Sequence, residues 1–190
     1  MLKVSLVTKG KLSEAQRIKL EASRSLFEEA INSIEFRQEV LNYWHTVWTS
    51  TGRLWWKKWY SKEVNGFREC KLSSQEVYNS LMAGAETLSP EKDQEADIRV
   101  EIEAGPRGVI GWTNPHTPIQ WISSWFFNSS QTGTAEIAGN LSHEWCHKLG
   151  YDHAFNYYDG REDTVPYAIG TIIEKLAQKI QNGQKLTKIP

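Results

Sequence analysis

Three histidines and a glutamate occur within eleven residues, at spacings that suit a catalytic metal ion. Residues 143–153 read HEWCHKLGYDH, and the whole chain contains only five histidines. His143 and His147 are one helical turn apart, so both rings project from the same face of a helix. Their nitrogens can therefore converge on one zinc ion at about 2.0–2.1 Å.

The other residues of the run extend this hypothesis. Glu144 lies about 100° further round the helix, where its carboxylate can act as a general base on the attacking water. Gly150 accepts the left-handed conformation that ends a helix, and His153 can then return as the third nitrogen ligand. A fourth position stays open for water and substrate, as in catalytic sites. The alternative is a solvated helix end rich in histidine, but the combined spacings favour the metal site.

The run resembles the extended zinc motif of the metzincin clan of metallopeptidases, and residues 149–153, LGYDH, are close to the matrix metalloproteinase version. The resemblance implies a zinc endopeptidase whose Zn²⁺ is bound by His143, His147 and His153, with Glu144 as the base. It also implies an α+β, zincin-like fold with a mixed β-sheet, N-terminal helices, an active-site helix and a small C-terminal subdomain ending in a helix. The upper subdomain would span about 1–150 and the lower about 151–190.

One feature of that clan is missing from this chain. Its methionine-containing turn has no counterpart, because the only methionines are Met1 and Met82. The sequence 164–167, TVPY, is the candidate for the equivalent turn, in which a proline would supply a rigid apolar floor. Tyr167 is then a tentative catalytic residue that stabilises the oxyanion, with Tyr157 and Tyr158 as weaker candidates. Packing of Tyr167 on the core is the alternative.

Other ligands and other functions stay open. Glu174 could be the third ligand, as in other HExxH peptidases, but Gly150 and His153 would then have no explanation. Cys70 could block the zinc as a latency thiolate, although the residues around it do not match the known cysteine switch. A zinc hydrolase of a non-peptide amide in a cell wall is the second function. An inactive zinc-containing binding module is the third, and the intact Glu144 argues against it.

Composition limits the class of protein. With 190 residues, 24% of them charged, and a net charge of −1, we expect one domain, a monomer, and no nucleic-acid partner. No apolar stretch is long enough to span a membrane. The first residues lack the continuous hydrophobic region of a signal peptide, so a cytoplasmic location and export by a route without an N-terminal signal both stay open.

Hydrophobic periodicity predicts the elements that position the motif. Residues 118–127 are predicted to form a strand, and the resemblance implies that a protein or peptide substrate pairs antiparallel along it. A plain core strand is the alternative. The other predicted strands cover about 3–8, 98–103 and 108–113, and the predicted helices cover about 14–33, 35–47, 75–88, 134–149 and 167–181.

A second unusual segment is aromatic. Five of the nine tryptophans fall between residues 44 and 59: Trp44, Trp48, Trp55, Trp56 and Trp59. The rings could form a surface platform for a glycan, peptidoglycan or membrane interface. We favour the other interpretation, in which a hairpin and a helix place these rings in the core.

Overall fold

The computed structural model describes residues 1–51, 58–153 and 160–189, and these form an α+β structure with a mixed sheet. The α+β prediction is confirmed. In chain order the elements are β1 (Lys3–Lys9), α1 (Glu14–Ile31), α2 (Ile34–Leu41), β2 (Trp44–Thr51), β3 (Lys58–Asn65), α3 (Ser74–Ala83), β4 (Glu95–Glu103), β5 (Gly111–Thr113), β6 (Ile119–Ser123), α4 (Ser124–Phe127), α5 (Thr134–Lys148) and α6 (Val165–Gln181).

The larger sheet has the strand order β1-β4-β6-β5. Strands β1, β4 and β6 are parallel, and β5 pairs antiparallel with β6 at the edge. The alternation predicted for β4 is correct, because Ile98 and Val100 are buried while Arg99 between them is exposed. Strands β2 and β3 form a separate antiparallel ribbon.

The predicted strand at 118–127 is wrong in two respects. Only Ile119–Ser123 is extended, since the chain turns into the short helix α4 at Ser124. Strand β6 is also not an edge strand, because β4 pairs with one side of it and β5 with the other. A peptide therefore cannot add to β6, and the proposed substrate strand at 118–127 is incorrect.

Local capping fixes several helix ends. Ser13 caps α1 in a capping box with Gln16, and Ser73 caps α3 in a capping box with Glu76. The predicted helix at 35–47 is too long, since α2 ends at Leu41. Residues 44–51 form strand β2 instead, because they include the β-branched residues typical of strands and pair with β3.

The core lies between the sheet and the long helices. Helix α5 packs against α1 and α6, and Trp145 of α5 contacts Phe27 of α1 edge to face, with ring centroids 5.9 Å apart. Helices α5 and α6 approach closely at Gly139 and Gly170. A Cβ on Gly139 would lie 2.9 Å from the Gly170 carbonyl oxygen, so this crossing requires glycine. None of the helices in the described ranges combines the length and apolar character needed to cross a bilayer.

Candidate metal centre

Helix α5 presents two of the predicted ligands, and the segment after it presents the third. The donor atoms of His143, His147 and His153 all lie within 4.8 Å of one another. The Nε2 atoms of His143 and His153 are 3.2 Å apart. Two nitrogens bound tetrahedrally to one zinc at about 2.0–2.1 Å are separated by about 3.3 Å, so this edge of the cluster already has the spacing of a zinc site.

Hydrogen bonds orient two of the rings. The His147 Nδ1 lies 2.8 Å from the Tyr151 carbonyl oxygen, which can only accept, so Nδ1 carries the proton and Nε2 keeps its lone pair. The Pro166 backbone lies near the His143 ring, and since proline has no N–H, it is the carbonyl that acts on the ring and raises its pKa. Such contacts are typical of histidines that bind metals.

The protonation state of His143 and His147 also favours the binding of a cation. Burial lowers the pKa of His143 well below its usual value, and the neighbouring histidines lower it further. Burial likewise lowers the pKa of His147, although the Tyr151 carbonyl opposes that effect. The rings are therefore neutral at pH 7, which is the form that binds metal ions.

The end of α5 has the geometry that returns His153 to the site. Gly150 has φ +90°, as its position in the motif predicts. Its N–H donates to the His147 carbonyl at 3.1 Å, and the Tyr151 N–H donates to the Cys146 carbonyl at 3.1 Å. These two bonds form a Schellman motif, which satisfies the last carbonyls of the helix. The reversal also brings the Tyr151 carbonyl to the His147 ring.

Glu144 is buried next to the histidines, with 4% of its surface exposed. Burial raises the pKa of its carboxyl to about 8, while Lys148 and Asn140 act in the opposite direction. Residues 140, 144 and 148 are four apart and share one face of α5. Glu144 is therefore flanked on that face by an amide and by an ammonium group.

The same face of α5 holds the β5–β6 hairpin. Asn140 packs against Gly111, where an added Cβ would approach its side chain to 2.7 Å. The buried Lys148 Nζ donates to backbone carbonyls of the connection between β5 and β6, which belong to Asn114, Thr117 and Ile119. Glu144 thus lies between the two points at which the helix holds the edge of the sheet. The sequence analysis missed both Asn140 and Lys148, because nothing in the motif indicates these long-range contacts.

Tyr167 lies against the histidine cluster. Its ring centroid is 4.5 Å from that of His143, edge to face, and 4.8 Å from that of His153. The Arg161 guanidinium also lies over the Tyr167 ring, 4.6 Å from its centroid. Pro166 is buried in the first turn of α6, as expected for the floor of the site. The weaker candidates Tyr157 and Tyr158 lie outside the described residues.

Contacts that the sequence did not indicate hold residues 160–163, the segment before Tyr167. The backbone N–H of Arg68 donates to the backbone carbonyl of Asp163 at 2.9 Å, and the Tyr43 hydroxyl lies 3.1 Å from the Asp163 carboxylate. Gly160 has φ +87° and leaves room for the Arg68 guanidinium. Arg68 also donates to the Thr46 carbonyl at 2.7 Å, so the base of the β2–β3 ribbon is connected to this segment.

The other candidate ligands do not join the cluster. In the described part of the chain, the donors that converge on one point are the three histidines. Glu174 lies beside Gly139 and accepts a hydrogen bond from Gln178 instead. Cys146 is fully buried in the core.

Contrary to our expectation, the described tryptophans of the aromatic segment 44–59 are not core residues. Strands β2 and β3 do pair antiparallel, but Trp44, Trp48 and Trp59 are 54%, 57% and 61% exposed. For these three rings the prediction that they fill the core is wrong, because no element in the described ranges covers the face of the ribbon that carries them. Trp55 and Trp56 lie outside the described residues.

The fold and the site thus define an α+β protein with a three-histidine centre that could hold a metal ion. No protein-family model matches the sequence, and no curated protein shows significant similarity to it.

Proposed function

We propose that this chain is a zinc-dependent endopeptidase with a zincin-like fold. The observation that carries the proposal is the convergence of three imidazoles beside a buried glutamate, which lies on the same helix as two of them. Three nitrogen ligands leave one position for water and substrate, which distinguishes a catalytic zinc site from a structural one. A site that only stabilises the fold has no use for the carboxyl of Glu144.

The edge of the sheet supports a peptide as the substrate. Strand β5 is the last strand of its sheet, and no described strand pairs with its outer side. An extended peptide can add to such an edge through main-chain hydrogen bonds. Because Asn140 and Lys148 hold the hairpin on either side of Glu144, a peptide along β5 would pass close to that carboxyl. We therefore assign substrate binding to Gly111–Thr113 in place of residues 118–127.

Each residue then has a chemical role. Zinc held by His143, His147 and His153 would polarise the scissile carbonyl and lower the pKa of the attacking water. Glu144 takes a proton from that water and delivers it to the nitrogen of the leaving amine. Burial raises the pKa of Glu144 to about 8 in the metal-free chain, and a zinc ion at the three histidines would lower it again because the cation favours the ionised carboxylate. A carboxyl with a pKa near neutral can both accept and donate a proton.

Tyr167 is the residue that we assign to the oxyanion. Its ring contacts two of the three histidines, so the phenol belongs to the same site. A hydroxyl donor to the developing oxyanion contributes about 10²-fold to the rate in other enzymes. Tyr167→Phe should therefore lower kcat about 10²-fold, leave KM nearly unchanged and leave zinc bound.

Digestion of an unstructured protein tests the proposal. The purified chain should contain one zinc per molecule and cleave casein, and a chelator should stop cleavage until zinc is restored. Glu144→Ala should keep the zinc and lose at least 10³-fold in kcat/KM. Substantial residual cleavage by that variant would refute the mechanism. Release of amino sugars or stem peptides from cell-wall material, without cleavage of casein, would assign the site to a non-peptide or cell-wall amide instead.

A further inference from the structure

Arg161 places a positive charge next to the histidine cluster. Its guanidinium lies 4.6 Å from the centroid of the Tyr167 ring, and that centroid lies 4.5 Å from the centroid of the His143 ring, so the guanidinium is at most about 9 Å from His143. Burial lowers the pKa of His143 and His147 and raises that of Tyr167, and the Arg161 charge acts to lower all three. The field of this one side chain therefore reaches the groups that the site takes from both α5 and α6.

No carboxylate in the described ranges balances this guanidinium. The Asp163 carboxylate, two residues away, lies 3.1 Å from the Tyr43 hydroxyl and 4.0 Å from the Nε of Arg68 instead. The Nε of Arg161 is buried without a hydrogen-bond partner. The side chain as a whole is partly exposed, so the terminal nitrogens are the part of the guanidinium that solvent reaches.

A guanidinium in this position favours an anionic ligand. Its N–H groups donate in a fixed fork whose geometry matches a carboxylate. Without an anion nearby, the positive charge repels any cation that the histidines bind, and its donors have no partner in the described part of the chain. A negative group on the substrate removes that repulsion and accepts from the open donors. The placement of Arg161 therefore indicates that the substrate is negatively charged close to the site.

The distances select a carboxylate beside the reacting bond. A carboxylate paired with a guanidinium lies within about 4 Å of it, and consecutive Cα atoms of a peptide are about 3.8 Å apart. Because the guanidinium is at most about 9 Å from His143, the space between them fits a carboxylate and about one residue. An unmodified peptide offers such a group as an aspartate or glutamate side chain, or as its C-terminal carboxylate.

We propose that Arg161 determines substrate specificity by binding a carboxylate of the peptide next to the scissile bond. This inference rests on the proposed peptidase function and adds the chemical class of its substrate. The contact with the Tyr167 ring holds the guanidinium in place, because an aromatic face attracts the cation and restricts the arginine side chain. A bidentate pair between guanidinium and carboxylate should favour the acidic substrate about tenfold to hundredfold.

Matched peptides test this assignment through a ratio that does not depend on overall activity. Internally quenched peptides carry aspartate or asparagine at each position flanking the scissile bond, and a further pair ends in a carboxylate or an amide one residue after the bond. The wild-type protein should favour the carboxylate member of one pair at least tenfold in kcat/KM. The pair that responds distinguishes an acidic side chain from a C-terminus. Arg161→Gln should reduce the ratio to about one, and Arg161→Lys should keep part of it.

A binding measurement and a control variant accompany the kinetics. In calorimetric titrations, the metal-free chain should bind the favoured carboxylate peptide about tenfold more tightly than its amide partner. Arg161→Gln should abolish this difference. Arg17→Gln removes an exposed arginine of α1, and it should change neither the ratio nor the affinity.

Equal cleavage of carboxylate and amide peptides by the wild-type protein would overturn the inference. An unchanged ratio in Arg161→Gln, with lower rates for every peptide, would also overturn it, because Arg161 would then only position Tyr167. Absence of cleavage, together with binding of carboxylate peptides that depends on Arg161, would refute the peptidase proposal and leave the carboxylate site in place. Absence of both cleavage and binding would overturn the site as well.

Discussion

Glu144 should destabilise the metal-free protein, and its replacement by glutamine should reveal by how much. Burial raises the pKa of this carboxyl from 4.5 to about 8. At pH 7 the folded chain therefore keeps a proton that the unfolded chain has released. The free energy difference is 2.303RT for each pH unit above 4.5, which gives about 3 kcal/mol at pH 7.

The sign of this effect defines the experiment. A raised carboxyl pKa leaves stability intact below pH 4.5 and removes it progressively as the pH rises toward 8. Glu144→Gln abolishes this dependence without changing the size of the side chain. The metal-free variant should thus be more stable than wild type by about 3 kcal/mol at pH 7, and by less than about 1 kcal/mol at pH 5.

Urea unfolding in the presence of a chelator measures both differences. The other ionisable groups are common to the two proteins, so subtracting the two curves leaves mainly the contribution of Glu144. Glu91→Gln, at an exposed position, serves as the control and should change the stability at neither pH. The reasoning would be refuted if Glu144→Gln raised the free energy of unfolding equally at pH 5 and pH 7. It would also be refuted if the variant were less stable than wild type at pH 7. The same variant loaded with zinc should be inactive, which would show that the carboxyl is kept for chemistry.

Three further predictions concern the groups around the site. His153→Ala should abolish stoichiometric zinc binding in a calorimetric titration. His116→Ala should not, because His116 is exposed and is not part of the histidine cluster. Gly150→Ala should lower the free energy of unfolding by about 1–2 kcal/mol, because φ is +90° there; an unchanged urea midpoint would contradict this. Lys148→Met should lower the free energy of unfolding by about 2–4 kcal/mol, because three carbonyls lose their donor. Amide hydrogen exchange should then accelerate in the β5–β6 hairpin and remain slow in α1.

Local sequence was sufficient for the elements that carry the ligands. The bounds of α5 follow from its periodicity, and its end follows from Gly150, because a Schellman turn depends on the residues of that turn alone. The i, i+4 spacing of His143 and His147 sets their common face for the same reason. The capping box of Ser13 and Gln16 is another signal contained within four residues.

Long-range packing decided what the sequence analysis missed or mistook. Which strand forms the edge of the sheet depends on how β4, β5 and β6 pair, and no single segment contains that information. The partners of Asn140 and Lys148 are some 30 residues away in the chain. The hydrophobicity of the tryptophans predicts burial only where another element is present to cover them.

The sequence by itself determined a helix that carries two histidines and a glutamate, a glycine turn, and a third histidine after it. Only the tertiary structure decided that the third ring approaches the first to 3.2 Å between nitrogens, that Tyr167 joins them, and that β5 rather than β6 is an edge strand among the described strands. The physical reason is one of range. Helix periodicity and turns are set by neighbours along the chain, whereas the convergence of side chains and the exposure of a sheet edge depend on the packing of distant segments.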